Sequence, residues 1–412
     1  MIPFNLAALL AALRSLASIL RRPLGLLSSV LCLLSFAGCS LVPHRTLVEP
    51  SSTVLPARLI SNFFVVESKW DDGRTYRFLI DTGSSATLVS TDLARRFALK
   101  QKKGATPARV TVRSANGGTI DLEPVTLRRV ALGATAFEGV PALVFDFTEL
   151  SSQLGLPIDG LLGFPVFRGA LLTLDYPGQR LVIAPANTGL TATKPAPRAT
   201  TLTFNNERHT PLIPVQMGTE SFNVLIDSGS DGSLSLNPAG LHPRFANGPR
   251  TGALISSLQG DRPQLTGRLS QDVLIGSHTI ARPIVDLTDQ LSSIGGEFLR
   301  HFAVTFDQRY NQVTFVRDAD GAVTMEPRRH SGLSFARSTV YWRVLSVIPE
   351  TPAAKLAVQP GDLCVRINGE PVAQWTFDRY DALVKSAAKI TYTFLRGTKE
   401  EDLEVPVFEL VP

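Results

Sequence analysis

The sequence predicts a mainly β protein, built as two pseudo-symmetric lobes followed by a small α+β domain. Three observations carry this. First, a four-residue phrase occurs twice, as Asp81-Thr82-Gly83-Ser84 and Asp227-Ser228-Gly229-Ser230. Each copy ends an apolar, strand-like run (residues 76–80 and 222–226), so each carboxylate sits where a buried strand stops in a tight turn. Second, a longer pattern repeats with it. At a constant offset of 132, Gly163 falls on Gly295, Arg168 on Arg300, Thr173 on Thr305 and Asp175 on Asp307, which marks an internal duplication. Third, residues 331–412 break into short apolar runs punctuated by Pro360-Gly361-Asp362 and Asn368-Gly369, with room for one helix.

At the doubled phrase the chain resembles the aspartic peptidases of the pepsin and retropepsin clan. There each half-molecule contributes an Asp-Thr/Ser-Gly turn, and a later apolar-apolar-Gly segment crosses behind it. The resemblance implies β-barrel lobes at 58–185 and 200–317, joined by a linker at 186–199. It implies catalysis by Asp81 and Asp227, with Thr82, Gly83, Ser84, Ser228, Gly229 and Ser230 supporting the turns. Leu161-Leu162-Gly163 and Ser293-Ile294-Gly295 are the matching backing segments. The activity implied is an aspartic endopeptidase acting on polypeptides, with no cofactor and no metal.

Chemistry asks for two acids independently. Hydrolysis without a metal or an attacking side chain needs a base to activate water and an acid to protonate the carbonyl oxygen. Two carboxyl groups a few ångström apart cannot both ionise cheaply, so the pair holds one proton; aspartic proteases are the standard example. Such a dyad titrates as a unit. Gly83 and Gly229 allow close backbone approach, Thr82 and Ser228 can bond across the turns, and Ser84 and Ser230 are placed to reach the outer carboxylate oxygens.

Taken in order, residues 1–38 read as a signal peptide: Arg14, Arg21 and Arg22 precede an apolar stretch at 24–37 and the small residues before Cys39. The ending resembles a bacterial lipobox, with Phe36 in place of the usual Leu, and implies lipidation of Cys39 and a body outside the cytoplasm. Ser40 rather than Asp at the next position implies the outer membrane if the source is Gram-negative. The alternative is an uncleaved membrane anchor. The leader carries three of the 41 Lys and Arg and no acid, so a net charge of +5 falls to +2 without it. No basic run with interleaved aromatics points to nucleic acid. With Cys32 in the leader and Cys39 lipidated, Cys364 is the single thiol left in the body and no intramolecular disulfide can form.

Residues 39–57 read as a tether. In lobe one, residues 91–97 suit a short helix capped by Thr91 or Asp92. Ser114, Ala115, Asn116 and Gly117 then form a hairpin tip. The resemblance implies a flap over the cleft at this tip, without the Tyr of pepsin-like flaps; the alternative is a plain surface hairpin. Asp81 to Gly163 spans more residues than Asp227 to Gly295, which favours lobe one as owner of the dominant flap, with a weaker candidate at 256–262.

Residues 318–330 read as a hinge. Beyond it, residues 331–412 resemble a PDZ domain, in which Gly332, Leu333, Ser334 and Phe335 correspond to the loop that receives a peptide carboxylate. Tyr380, Ala382 and Leu383 would line its groove. The alternative is a packing module whose groove is buried against the lobes.

Rival chemistries fail on spacing. A calcium loop starting at Asp227 would need Glu at its twelfth position, which is Pro238. No Gly-x-Ser-x-Gly elbow occurs, and the six His are isolated. The sequence therefore favours a monomeric, membrane-tethered peptidase. The competing reading is an inactive peptide-binding scaffold of the cell envelope.

Overall fold

The computed structural model describes residues 45–47, 52–100, 109–113, 118–186, 198–257 and 260–412. The leader, Cys39, most of the inter-lobe linker and the hairpin tip at 114–117 lie outside these residues. The fold is mainly β.

In lobe one the strand Thr75–Asp81 is buried from Phe78 onward. It pairs with Phe63–Lys69 on one side and runs parallel to Gly160–Gly163 on the other, setting Asp81 opposite Gly163. The short strand Leu88–Val89 then pairs antiparallel with Gly160–Gly163. Lobe two repeats the arrangement. Glu220–Ile226 pairs with Leu212–Met217, lies parallel to Ser293–Ile294, and Leu234–Leu236 runs antiparallel to the latter. A parallel strand pressed behind a turn needs a residue without a side chain. A Cβ on Gly163 would overlap the Ala86 carbonyl, and one on Gly295 the Gly232 carbonyl.

The lobes meet through strands in the order Ala199–Thr203, Gln312–Val316, Ala303–Asp307, Ala170–Asp175, Arg180–Pro185 and Thr53–Ile60. At the centre the register is Leu171 to Asp307, Thr173 to Thr305 and Asp175 to Ala303. Thr173 thus faces its own duplicate, and the pairs on either side mirror one another, as a local two-fold axis requires. The two threonine hydroxyls bond at 2.8 Å on that axis. One hydrophobic core runs through both lobes.

The C-terminal unit has a separate core around Phe335, Trp342, Tyr380, Tyr392 and Phe394. Its sheet runs Leu333–Arg337, Trp342–Val347, Leu363–Ile367, Lys389–Arg396, Lys399–Pro406. The helix Phe377–Ser386 is capped by Thr376, which accepts from the Arg379 amide. The unit is fastened at both ends. The strand Arg328–His330 pairs with Phe408–Val411, and Leu410 and Val411 are buried in the core of the lobes. Residues 318–330, expected as a hinge, are likewise held down: Val323 is buried and its amide donates to the Thr279 carbonyl at 2.8 Å.

One local expectation changes. The helix Thr91–Phe97 is capped by Ser90, whose hydroxyl accepts from the Leu93 amide, one residue ahead of the expected cap. In lobe two Phe245–Ser257 pairs with Gly260–Leu269; in lobe one Val110–Arg113 pairs with Thr119–Leu122, and the strand Thr119–Leu132 runs on to pair with Thr135–Val144, while the expected flap tip at 114–117 lies outside the described residues.

Cys364 is fully buried, and burial pushes its thiol up to about 12. We expect Cys364 not to react with a thiol reagent at pH 8 until the protein is unfolded; rapid labelling at Cys364 of the native chain, read by peptide mapping, would contradict this packing.

Candidate active site

The two turns bring the carboxyl groups of Asp81 and Asp227 together at the junction of the lobes. Each is anchored by its own backbone. Asp81 Oδ1 accepts from the Ser84 amide at 3.0 Å, and Asp227 Oδ1 accepts from the Gly229 amide at 3.0 Å. The glycines face the opposite acid: a Cβ on Gly83 would overlap Asp227 Oδ1, and one on Gly229 would overlap the Asp81 carboxyl carbon. Only glycine lets the turns come this close.

Thr82 and Ser228 lock the turns together with a reciprocal set of bonds. The Thr82 amide donates to Ser228 Oγ at 3.0 Å and the Ser228 amide to Thr82 Oγ1 at 3.1 Å. Each hydroxyl then donates onward, Thr82 to the Ile226 carbonyl at 2.7 Å and Ser228 to the Ile80 carbonyl at 2.6 Å. All four groups are buried. Thr82→Val keeps the shape but strips partners from the Ser228 amide and the Ile226 carbonyl, at about 1–3 kcal/mol for each group left unsatisfied. Denaturant titration measures this, and a loss below about 1 kcal/mol would mean the crossed bonds do not hold the lobes.

Ser84 and Ser230 do not use their hydroxyls on the acids, contrary to expectation. Ser84 Oγ donates to the Ala86 carbonyl at 2.8 Å, and Ser230 Oγ accepts from the Gly232 amide at 3.3 Å. The turns curl tightly enough that each hydroxyl finds a backbone partner two residues on. The support Ser84 gives Asp81 comes from its amide.

Burial, followed by the charge of Asp227 beside it, pushes the Asp81 carboxyl well above the ordinary carboxylate range, against the Gly83 and Ser84 amides that pull it down. The pair has the electrostatics of a shared proton. Both side chains are also 0% exposed.

The floor beneath the pair holds two residues that motif reading missed. Gln308 donates from Nε2 to the Phe164 carbonyl at 2.6 Å, tying lobe two to the segment behind Asp81. Its duplicate at the same offset is Tyr176, buried against Phe64, whose hydroxyl has no hydrogen-bond partner. Burial and then the charges of Asp227 and Asp81 push this phenol well above its usual range. The repeat offset alone would have paired the two residues, although neither belongs to a recognised motif.

In the C-terminal unit, Leu333, Ser334 and Phe335 are buried, and Phe335 packs its ring against Trp342, Tyr380 and Tyr392. The loop before them is self-bonded. The Gly332 amide donates to His330 Nδ1 at 2.8 Å, and the Leu333 amide to Ser331 Oγ at 3.3 Å. Burial holds His330 down to about 4, so its imidazole is neutral and free to accept. Tyr380 turns inward, its hydroxyl bonding Ser331 and Tyr392. Of the flap residues and Cys39, Ser114, Ala115, Asn116, Gly117 and Cys39 itself lie outside the described residues. Among the described residues no cluster of His, Cys, Asp and Glu is arranged to hold a metal.

No curated protein matches the chain. Residues 66–166, which carry Asp81, its turn and the segment behind it, match a family model described as aspartyl protease, and this part of the chain is similar to that family.

Proposed function

We propose that this chain is an aspartic endopeptidase in which Asp81 and Asp227 share one proton and activate one water. The observation that carries the reading is the meeting of two carboxyls from duplicated turns, with Asp81 raised by burial and by its partner. The ionised carboxylate takes a proton from water as the water oxygen attacks the peptide carbonyl carbon; the protonated one gives its proton to the carbonyl oxygen. The resulting diol gives one hydroxyl proton to the acid left ionised and collapses by breaking the C–N bond, and the amine leaves with the proton taken from water by the other acid, which restores the single shared proton. The two acids thereby exchange roles in each cycle.

The rest of the reading is architectural. Cys39 carries a lipid that holds the protein at the periplasmic face of a bacterial membrane, the outer membrane in a Gram-negative source, and the chain works as a monomer because it supplies both acids itself. The C-terminal unit acts as a PDZ domain that recruits partners or substrates. For it to capture a peptide C-terminus, the Leu333 amide must exchange Ser331 Oγ for the incoming carboxylate.

The complete burial of both acids favours a second reading, an inactive scaffold that keeps the two-lobed frame and holds peptides. Incubating the purified soluble body with a peptide library and analysing it by mass spectrometry separates the two. New termini that vanish in Asp81→Asn support the enzyme, whereas retained intact peptides support the scaffold.

A further inference from the structure

The seam between the lobes is sealed on one side of the dyad. Four residues beyond Asp227, the Asp231 carbonyl accepts from Asn62 Nδ2 of lobe one at 3.0 Å. Asn62 and Ser61 form the tip of the hairpin between Thr53–Ile60 and Phe63–Lys69, both in the left-handed region at φ 67° and 46°. Such a conformation disfavours residues other than glycine, so the tip is held by what surrounds it. Lobe two presses on it, since a side chain on Gly296 would overlap the Asn62 carbonyl.

Across this closure lies the C-terminal unit. Asp378, in the first turn of the helix Phe377–Ser386, accepts from the Ser61 amide at 2.5 Å and from its hydroxyl at 2.9 Å. Asp381 on the same helix stands close enough to Asp231 to act on its charge. On the lobe-one flank Arg337 donates from Nη1 to the Ser152 carbonyl at 2.5 Å and from Nε to the Trp375 carbonyl at 3.1 Å, binding the helix Thr148–Leu154 to the unit. On the lobe-two flank the strand Phe245–Ser257 packs against Leu333–Arg337 and Trp342–Val347. The unit therefore touches both lobes and straddles the line between them.

We infer that the C-terminal unit closes one end of the substrate groove, so that this site takes the end of a polypeptide and cuts a short, fixed distance from it. The inference rests on the peptidase reading above. An extended chain bound over the dyad exits on both sides of the scissile bond. On this side it meets a helix and a hairpin tip bonded to each other. The unit does not swing aside as a free module, because both its ends are sewn into the lobes: Arg328 pairs with Asp286 at 2.6 Å, and Arg268 Nε donates to the Pro412 carbonyl at 2.5 Å.

The test compares a linear peptide with its head-to-tail cyclic form, in a ring of about 30 residues so that both sides can extend. With the full-length body, the linear form is expected to be cut at least ten-fold faster, with cuts at a constant distance from one terminus. Asp378→Ala combined with Arg337→Ala, which removes the bonds from the unit to Ser61 and Ser152, narrows that ratio. Equal cutting of ring and linear chain, or cuts scattered along a long denatured protein without regard to its ends, overturns the closed end while leaving the peptidase intact. No cutting of any linear peptide removes the peptidase reading, and the inference with it.

Discussion

Replacing either dyad acid by its amide is expected to abolish peptide cleavage, and at Asp81 the change is expected to make the fold more stable at neutral pH. Asp81→Asn and Asp227→Asn each remove the proton exchange on which water activation depends, a loss of about 10²–10⁴-fold in rate. The double variant should be little worse than either single one, because the two act as a unit. The stability effect has the opposite sign. Burial and the neighbouring charge raise the Asp81 carboxyl above its unfolded value, so the native state binds more protons than the unfolded state between the two values. Stability from this group is present at acid pH and is lost as pH rises through the ordinary carboxylate range toward the raised value. An amide cannot ionise and escapes this loss. The melting temperature of Asp81→Asn should therefore exceed that of the parent at pH 7, with the gap shrinking toward pH 3. An amide variant that retains cleavage, or one less stable than the parent at pH 7, would sink the shared-proton account.

The second large effect is expected at Arg328, far from any motif. Its guanidinium pairs with Asp286 at 2.6 Å and Glu297 at 3.4 Å, where Asp231 and Asp381 also gather. Arg328→Met removes the cation at the centre of these carboxylates and leaves their charges uncompensated. Breaking a buried pair from one side costs about 3–5 kcal/mol. With 24% of the Arg328 side chain exposed, the lower end of that range is expected. Urea unfolding at pH 7 measures the loss, and Arg328→Lys should recover part of it. Protonating the carboxylates removes the repulsion, so the deficit should shrink as pH falls. A Met variant as stable as the parent at pH 7 would show that the strand Arg328–His330 is held by packing alone.

How much of this was readable in the chain divides along a physical line. The twin turns, the segments behind them and the central sheet follow from periodicity and glycine placement. A strand entering a turn, or a backbone crossing behind it, restricts which residues can stand there, and the repeat writes that restriction twice. Thr173 and Thr305 were matched by offset alone and face one another in the structure. The side-chain directions of Ser84 and Ser230 were not readable, because whether a hydroxyl turns to a carboxylate or to a nearby carbonyl depends on turn curvature rather than composition.

The amino-acid sequence by itself determined the duplication, the β class, the pair of acids and the glycines that let them meet, since each is a local steric or polar requirement on neighbouring residues. Only the tertiary structure decided that both acids are wholly covered, that residues 318–330 are pinned and that the C-terminal unit lies across the lobe seam. Those outcomes depend on contacts such as Asp378 with Ser61 and Arg337 with Ser152, between residues remote in the chain whose pairing no local pattern encodes.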